Sequence, residues 1–151
     1  SWVRLLDKST GKGFYVYNLH LDHLSQRSRA RSVELLVNVI AKRKEKDPFI
    51  VMGDFNMEID NPAMKFLCEY DGIKPYPKIM DSWESLYPDK DRGTGTRHGF
   101  GGSVNGPRID HIPVSANLEV LEVKIDRYNV DGKYPSDHFP VVAKISLGNV
   151  N

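Results

Sequence analysis

The chain has a single cysteine, Cys68, among its 151 residues. One thiol can neither form a disulfide within the chain nor supply a cysteine-based zinc site, so both kinds of stabilisation are excluded. Neither sign of charge dominates, because 21 basic residues offset 20 acidic ones and the formal net charge is +1. A domain that binds nucleic acid mainly through phosphates usually carries a clear basic excess, so net charge indicates no partner here.

Long apolar runs, internal repeats and low-complexity tracts are missing as well. No stretch approaches the ~18 apolar residues of a membrane-spanning helix, and no charged-then-apolar leader opens the chain, so no membrane span is predicted. The composition, 40% hydrophobic and 27% charged, is typical of a folded globular protein. A length of 151 residues is enough for one domain with a sizeable core.

The spacing of apolar residues predicts a mixed α/β domain. A helix should begin at the N-cap Ser25 and end before Pro48, since apolar residues recur at helical spacing between them. Shorter helices are predicted over 62–69, after the cap Asn61, and near 81–86. Strands are predicted over 2–6, 13–21, 49–52, 108–114, 118–125 and 139–147. The stretch 71–106 is rich in glycine, proline and aspartate, so we expect a long loop close to the ligand.

Four short runs concentrate histidine, aspartate and asparagine at the ends of predicted strands. They are Asn18-Leu19-His20-Leu21-Asp22, Gly53-Asp54-Phe55-Asn56, Arg108-Ile109-Asp110-His111-Ile112 and Ser136-Asp137-His138-Phe139-Pro140-Val141. Any one of these aspartates alone would most simply be a turn residue. Three of them, each beside a histidine or an asparagine, predict a polar cleft instead.

These residue types suit metal-assisted hydrolysis of a phosphoester. The reaction needs a water aimed at phosphorus, a cation on the phosphoryl oxygens and stabilisation of the leaving oxygen. The carboxylates of Asp54, Asp110 and Asp137 are hard oxygen ligands of the kind that Mg²⁺ prefers. His20 and His138 supply imidazoles, which could form aspartate–histidine pairs in which the carboxylate fixes the tautomer.

The four runs, in this order, resemble those of the endonuclease/exonuclease/phosphatase family, which includes deoxyribonuclease I, abasic-site nucleases, deadenylases, inositol polyphosphate 5-phosphatases and bacterial sphingomyelinases. The resemblance covers the whole chain and implies a deoxyribonuclease I-like four-layer α/β sandwich, two mixed sheets packed between helices. Members also take a metal-binding glutamate and an asparagine from an earlier stretch of chain. We therefore expect residues 1–151 to correspond to the C-terminal half of the domain.

The resemblance also implies a role for each motif residue. His20 would contact the scissile phosphate, while Asp54 and Asn56 would align and activate the attacking water and hold a phosphate oxygen. Asp110 would orient His138, and Asp137, with Asp54, would lie beside the metal, Mg²⁺ or Mn²⁺. Whether Asp54 or His138 is the general base stays open at this point.

Substrate preference is less constrained by the sequence. The run around Asp110 differs from the Trp-Cys-Asp-Arg version typical of inositol 5-phosphatases, which makes that class less favoured. Gly95-Thr96-Arg97-His98-Gly99-Phe100 resembles a Gly-Thr-Phe-His-Gly-Phe segment of bacterial members with no assigned substrate, with Arg97 in place of the aromatic residue. Asn18, Arg97 and His98 are the candidate substrate-binding residues, although a histidine flanked by glycine could equally be a surface residue.

Two readings therefore stand beside each other. In the first, the chain is a metal-dependent phosphoesterase acting on a phosphodiester or phosphomonoester, with nucleic acid as an open choice of substrate. In the second, it is a catalytically incomplete half-domain that binds or self-associates, or pairs with an N-terminal half, through uncovered sheet surface. With the family's glutamate absent from these residues, the chain alone is expected to bind metal weakly.

Overall fold

The computed structural model describes residues 1–68, 78–88 and 93–148, and it has a mixed α/β fold. The elements are β1 (Trp2–Leu6), β2 (Gly13–His20), α1 (Gln26–Ala41), β3 (Phe49–Asp54), α2 (Pro62–Cys68), β4 (Ile79–Asp81), α3 (Ser82–Leu86), β5 (Asp110–His111), β6 (Pro113–Ser115), β7 (Glu119–Ile125) and β8 (Val141–Ser146). The predicted mixed α/β class is confirmed.

One six-stranded sheet positions the motif residues. Its order is β1-β2-β3-β6-β4, with β5 also pairing with β3, while β7 and β8 form a separate antiparallel hairpin. β2 and β3 are parallel and the other pairs in the large sheet are antiparallel. Parallel neighbours need a long crossover connection, and α1 provides it, so the carboxyl ends of β2 and β3 lie side by side.

Helix α1 forms where the apolar spacing predicts it. The Ser25 hydroxyl accepts a hydrogen bond from the Ser28 amide at 3.1 Å, which caps the first turn. At the other end, the Arg43 guanidinium donates to the Ile40 carbonyl at 2.7 Å and satisfies one of the last free carbonyls. Val33, Val37 and Ile40 are buried on the face that packs against the sheet.

The two faces of the sheet differ in how well they are covered. Helices α1 and α2 pack on one face, in a core that includes Tyr15, Tyr17, Phe49, Val51, Met64 and Leu67. On the other face, Val3, Leu5 and Met52 are 47%, 42% and 38% exposed. The strand register places these three on the same side of the sheet. The part of this face near β1 is therefore open to solvent, whereas Ile50 on the same face packs against a second core that contains Val114, Leu118 and Val120.

Several boundaries differ from the predicted ones. The single strand predicted over 108–114 is divided into β5 and β6 at Ile112, whose carbonyl accepts from the Ser82 amide, and Pro113 has no N–H to offer the ladder. β8 begins later than predicted because the Phe139 amide donates to Thr96. Strand β4 lies within the predicted loop. It was not predicted because three residues are too few to show the alternation of a strand. The last residue of the predicted 62–69 helix and the parts 71–77 and 89–92 of the predicted 71–106 loop lie outside the described residues.

No helix among the described residues is both long and apolar enough to cross a bilayer.

Candidate active site

His20, Asp54 and Asp110 lie in one row across three adjacent strands. His20 is the register partner of Asp54 in the parallel pair β2–β3, and Asp54 is the partner of Asp110 in the antiparallel pair β3–β5. Register partners point to the same side of a sheet, so the three side chains share one face. The His20 Nε2 lies 3.4 Å from the Asp54 carboxylate, with the imidazole exposed and the carboxylate half-buried.

Gly53 allows this row to form. Its φ is +137°, and a Cβ built on it would overlap the carbonyl oxygen of Leu19 on the neighbouring strand. Only glycine tolerates both that backbone conformation and that close approach. The glycine before Asp54 thus brings the end of β3 against β2, beside His20.

Asn56 is held in a tight turn that follows β3. Its φ is 51°, in the left-handed region that asparagine tolerates better than most residues. Its backbone N–H donates to the Asp54 carboxylate at 2.8 Å, and its side-chain Nδ2 donates to the Leu21 carbonyl at 2.9 Å. These two bonds fix the carboxamide next to the carboxylate, with the carboxamide oxygen left as an acceptor.

Asp110 and His138 form a hydrogen-bonded pair, with 2.8 Å between the Asp110 Oδ2 and the His138 Nδ1. Both side chains are mostly buried, at 19% and 22% exposed. A carboxylate on Nδ1 favours the neutral tautomer that carries its proton there, so Nε2 is left able to accept a proton. The pair that the sequence suggested is therefore in contact.

The same neighbourhood could hold a cation. Among the described residues, ligand atoms of Asp54, Asp110 and His138 lie within 4.8 Å of one another, and all three residues are half-buried. Two carboxylates and an imidazole suit a divalent cation such as Mg²⁺ or Mn²⁺. Asp137 is not in this group, and its backbone carbonyl accepts from the His98 and Gly99 amides at 2.9 and 3.0 Å. The predicted role of the Asp137 carboxylate at the metal stays a prediction.

Two cavities flank the row. One, of 310 Å³, is lined by Asn18, Asp110 and His138 together with mostly apolar neighbours. The other, of 490 Å³, is lined by Asn56, Arg97 and His23 among others. Asn18 and Arg97, both candidate substrate-binding residues, therefore line different cavities. Arg97 is exposed, and its backbone forms a β-bridge with His138.

The third candidate, His98, is placed differently. Its ring stacks on Phe139 with 3.9 Å between centroids and leans on Tyr134 at 4.7 Å. Its Nδ1 accepts from the Gly102 amide at 3.3 Å. The structure thus packs His98 in an aromatic cluster next to the His138 segment, and its predicted contact with substrate stays a prediction.

A buried ionic network, which the sequence did not reveal, lies behind the row. The Asp81 carboxylate contacts the Arg108 guanidinium at 3.2 Å and the His111 Nδ1 at 3.3 Å, while the His111 Nε2 lies 3.0 Å from the Met57 carbonyl. Burial raises the pKa of Asp81, but the hydrogen bond from His111 and the charges of His111 and Arg108 outweigh it, so this pKa is below its ordinary value. The one sequence signal for this network is the alternation of side chains along a strand, which places His111 on the face opposite to Asp110.

Comparison with known proteins agrees with the geometry. The model of the family described as "Endonuclease/Exonuclease/phosphatase family" matches residues 2–138. No curated protein matches the chain significantly.

Solved structures resemble the whole chain. A mannosyl-6-phosphatase from Bacteroides thetaiotaomicron is 28% identical, with a TM-score of 0.80, over 96% of this chain and 55% of its own. An endonuclease/exonuclease/phosphatase protein from Bacteroides vulgatus is 27% identical, with a TM-score of 0.78, over 97% of this chain and 54% of its own. A functionally unknown conserved protein from Enterococcus faecalis is 25% identical, with a TM-score of 0.79, over 96% and 54%. The chain thus spans about half the length of these structures.

Proposed function

Because this chain belongs to the endonuclease/exonuclease/phosphatase family, we propose that it carries the catalytic row of a divalent-metal-dependent phosphoesterase. The observation that carries the proposal is the alignment of His20, Asp54 and Asp110 on one sheet face, with His138 hydrogen-bonded to Asp110. Aspartates that only stabilise turns would not be expected to lie on one sheet face beside an imidazole at the mouth of a cleft. Such convergence of ionisable groups is typical of hydrolytic sites.

In this proposal, the scissile phosphate lies against the row. The exposed His20 donates a hydrogen bond to a phosphoryl oxygen, and the Asn56 carboxamide, held by Leu21, orients the attacking water together with Asp54. The water oxygen attacks phosphorus as the ester P–O bond breaks. Its proton passes either to the Asp54 carboxylate or to the His138 Nε2, which Asp110 keeps free to accept it.

The cation would be held by carboxylates of this cluster. The Asp54 carboxylate, whose ligand atom lies within 4.8 Å of those of Asp110 and His138, would ligate the ion, and Asp137 follows from the family resemblance as a further ligand, while Asp110 and His138 keep their hydrogen bond to each other. A bound Mg²⁺ or Mn²⁺ supplies charge neutralisation at the phosphoryl and leaving oxygens.

The proposed class of substrate is a phosphate ester. Similarity to a mannosyl-6-phosphatase supports testing a hexose 6-phosphate first, as a phosphomonoester of a sugar. The near balance of acidic and basic residues gives no electrostatic reason to favour a polynucleotide. A DNA oligonucleotide therefore serves as the contrasting substrate.

The test compares hydrolysis of four substrates by the 151-residue chain and by the natural protein in which this sequence occurs, whatever its length. The substrates are p-nitrophenyl phosphate, bis-p-nitrophenyl phosphate, hexose 6-phosphate and a single-stranded oligonucleotide, each with Mg²⁺, Mn²⁺ or EDTA. Metal-dependent turnover that Asp110→Asn abolishes and the exposed-turn variant Asp131→Asn retains would support the proposal. Absence of turnover on all four substrates by both proteins would overturn it.

A second candidate function is favoured by the open sheet face. Val3, Leu5 and Met52 expose apolar surface on the side of the sheet away from the helices. A contiguous apolar surface of this kind usually marks a contact with another protein surface. The chain would then act as a self-associating module, whether or not it hydrolyses an ester.

A further inference from the structure

We propose that Thr96 is a positioning residue that holds Asp110 and His138 in their hydrogen-bonded arrangement. Its hydroxyl oxygen accepts hydrogen bonds from the backbone amides of Ile109 and Asp110, at 3.1 and 3.2 Å. Its backbone carbonyl accepts from the Phe139 amide at 2.7 Å. One residue therefore bonds directly to Asp110 and to the residue that follows His138.

Thr96 can act this way because it is completely buried. Its exposure is 0%, and its own amide donates to the Pro107 carbonyl at 3.1 Å. Its backbone N–H, its backbone carbonyl and its hydroxyl therefore all have hydrogen-bond partners. The next residue, Arg97, extends the connection through its bridge to His138. Complete burial keeps these bonds away from bulk solvent, which strengthens them.

The two amides that converge on the Thr96 hydroxyl explain how it aims Asp110. Successive amides of a regular strand point to opposite sides, so two of them can reach one oxygen only where the backbone bends. The two amides are those of Ile109 and Asp110, directly before and at the first residue of β5, so the backbone departs from regular strand geometry there. The direction of the Asp110 carboxylate, and with it the contact to His138, depends on that bend.

A hydroxyl has two lone pairs and serves both amides, whereas an isosteric methyl group serves neither. Thr96→Val thus keeps the shape and leaves two buried N–H groups without an acceptor. Thr96→Ser keeps the acceptor and loses only a methyl group. The matched control is Ser115→Ala, because the buried Ser115 hydroxyl accepts the Phe49 amide at 3.0 Å in the same sheet but away from the cluster.

The experiment measures amide hydrogen exchange at Ile109 and Asp110 and the ¹⁵N signals of the His138 ring. In Thr96→Val we expect exchange at both amides to accelerate by about tenfold or more and the His138 ring signals to move, with the global unfolding transition retained. Thr96→Ser should remain close to the parent protein. Ser115→Ala should leave the His138 signals unchanged even though it also loses a buried bond.

The proposal rests on the proposed function only for its kinetic readout. In that measurement, Thr96→Val should lower kcat by about tenfold to a hundredfold with KM within about twofold, since a slightly misaimed group reduces turnover more than binding.

Unchanged His138 signals in Thr96→Val, or equal shifts in Ser115→Ala, would overturn the positioning role. If Thr96→Val does not fold, Thr96→Cys, a much weaker acceptor, takes its place under the same criteria. If no protein hydrolyses any ester, the proposed function fails, and the exchange and ring signals alone decide the role of Thr96.

Discussion

Asp110 and His111 are consecutive residues, yet they serve opposite faces of the sheet. Asp110 bonds to His138 at the cleft, while His111 lies 3.0 Å from the Met57 carbonyl and 3.3 Å from Asp81 in the interior. Met57 follows Asn56, so the interior contact secures the turn whose other side faces the cleft. The buried network and the candidate catalytic row therefore meet in β5, which contributes His111 to the first and Asp110 to the second.

Replacing Asp54 by asparagine should reduce turnover far more than binding. In the proposed mechanism the Asp54 carboxylate acts on the attacking water, whereas asparagine keeps the shape and removes the charge. By analogy with removal of one electrostatic catalytic group, kcat should fall by about a hundredfold or more, with KM changed little. Steady-state kinetics of the active protein measure this, with Asp131→Asn as the control. Retention of more than half the parent rate would identify Asp54 as a simple turn residue.

The Asp110–His138 pair should behave as one unit in a double-mutant cycle. Asp110→Ala leaves His138 without its orienting carboxylate, and His138→Ala leaves that carboxylate without a role. Each single variant should therefore lose most of kcat, and the double variant should lose little more. Effects that simply multiply in the double variant would mean that the two residues act independently despite their 2.8 Å contact.

Part of this site could be predicted from the sequence, because His20 and Asp54 end strands that the apolar spacing reveals. Periodicity located β2 and β3, and the polar residues at their ends identified His20 and Asp54 as candidates. Register was the missing information, since only the pairing of β3 with β5 brings Asp110 beside Asp54. The sequence did not identify Thr96 or Asp81 as important, again because their partners are distant in the chain. A buried hydroxyl or carboxylate that satisfies groups far along the chain leaves no local pattern.

Stability should decrease at acidic pH in a way that depends on Asp81. Its pKa is lower in the folded chain than its ordinary value of 3.8, because of His111 and Arg108. The folded state therefore favours the ionised carboxylate. This stabilisation is present above the unfolded-state pKa and is lost as pH falls through the folded-state pKa.

Denaturant unfolding of the parent protein and of Asp81→Asn between pH 2 and pH 7 would measure that contribution. At neutral pH, Asp81→Asn should be less stable by about 1–3 kcal/mol, because it removes the charge beside His111 and Arg108 while Arg108 keeps its ion pair with Glu84. The difference should shrink below about pH 4 as the parent carboxyl takes up its proton. A difference that stays constant down to the acidic limit would contradict the assigned pKa direction.

A pair of glycine substitutions should show how much more the backbone at Gly53 requires glycine than an ordinary turn position does. Gly11 and Gly53 both have positive φ, but a Cβ at Gly11 meets nothing within 4 Å, whereas one at Gly53 overlaps the Leu19 carbonyl. Gly11→Ala should cost about 1–2 kcal/mol from conformation alone. Gly53→Ala should cost clearly more and should also lower kcat, because it separates β3 from β2 beneath His20 and Asp54. Equal losses of stability, with kcat unchanged, would mean that the close approach is not needed.

The exposed sheet face should drive association of the chain with itself. Val3 and Leu5 present apolar surface that no helix covers, so pairing two such faces would remove it from water. Sedimentation velocity over a range of concentrations should reveal a dimer that Val3→Lys and Leu5→Lys together disperse. Leu24→Lys changes a residue that is 81% exposed in a different segment, and it should leave the dimer intact. A chain that stays monomeric at every concentration, or a dimer that the paired lysines do not disturb, would show that this face is not the contact, and the self-association proposal would then have no structural support.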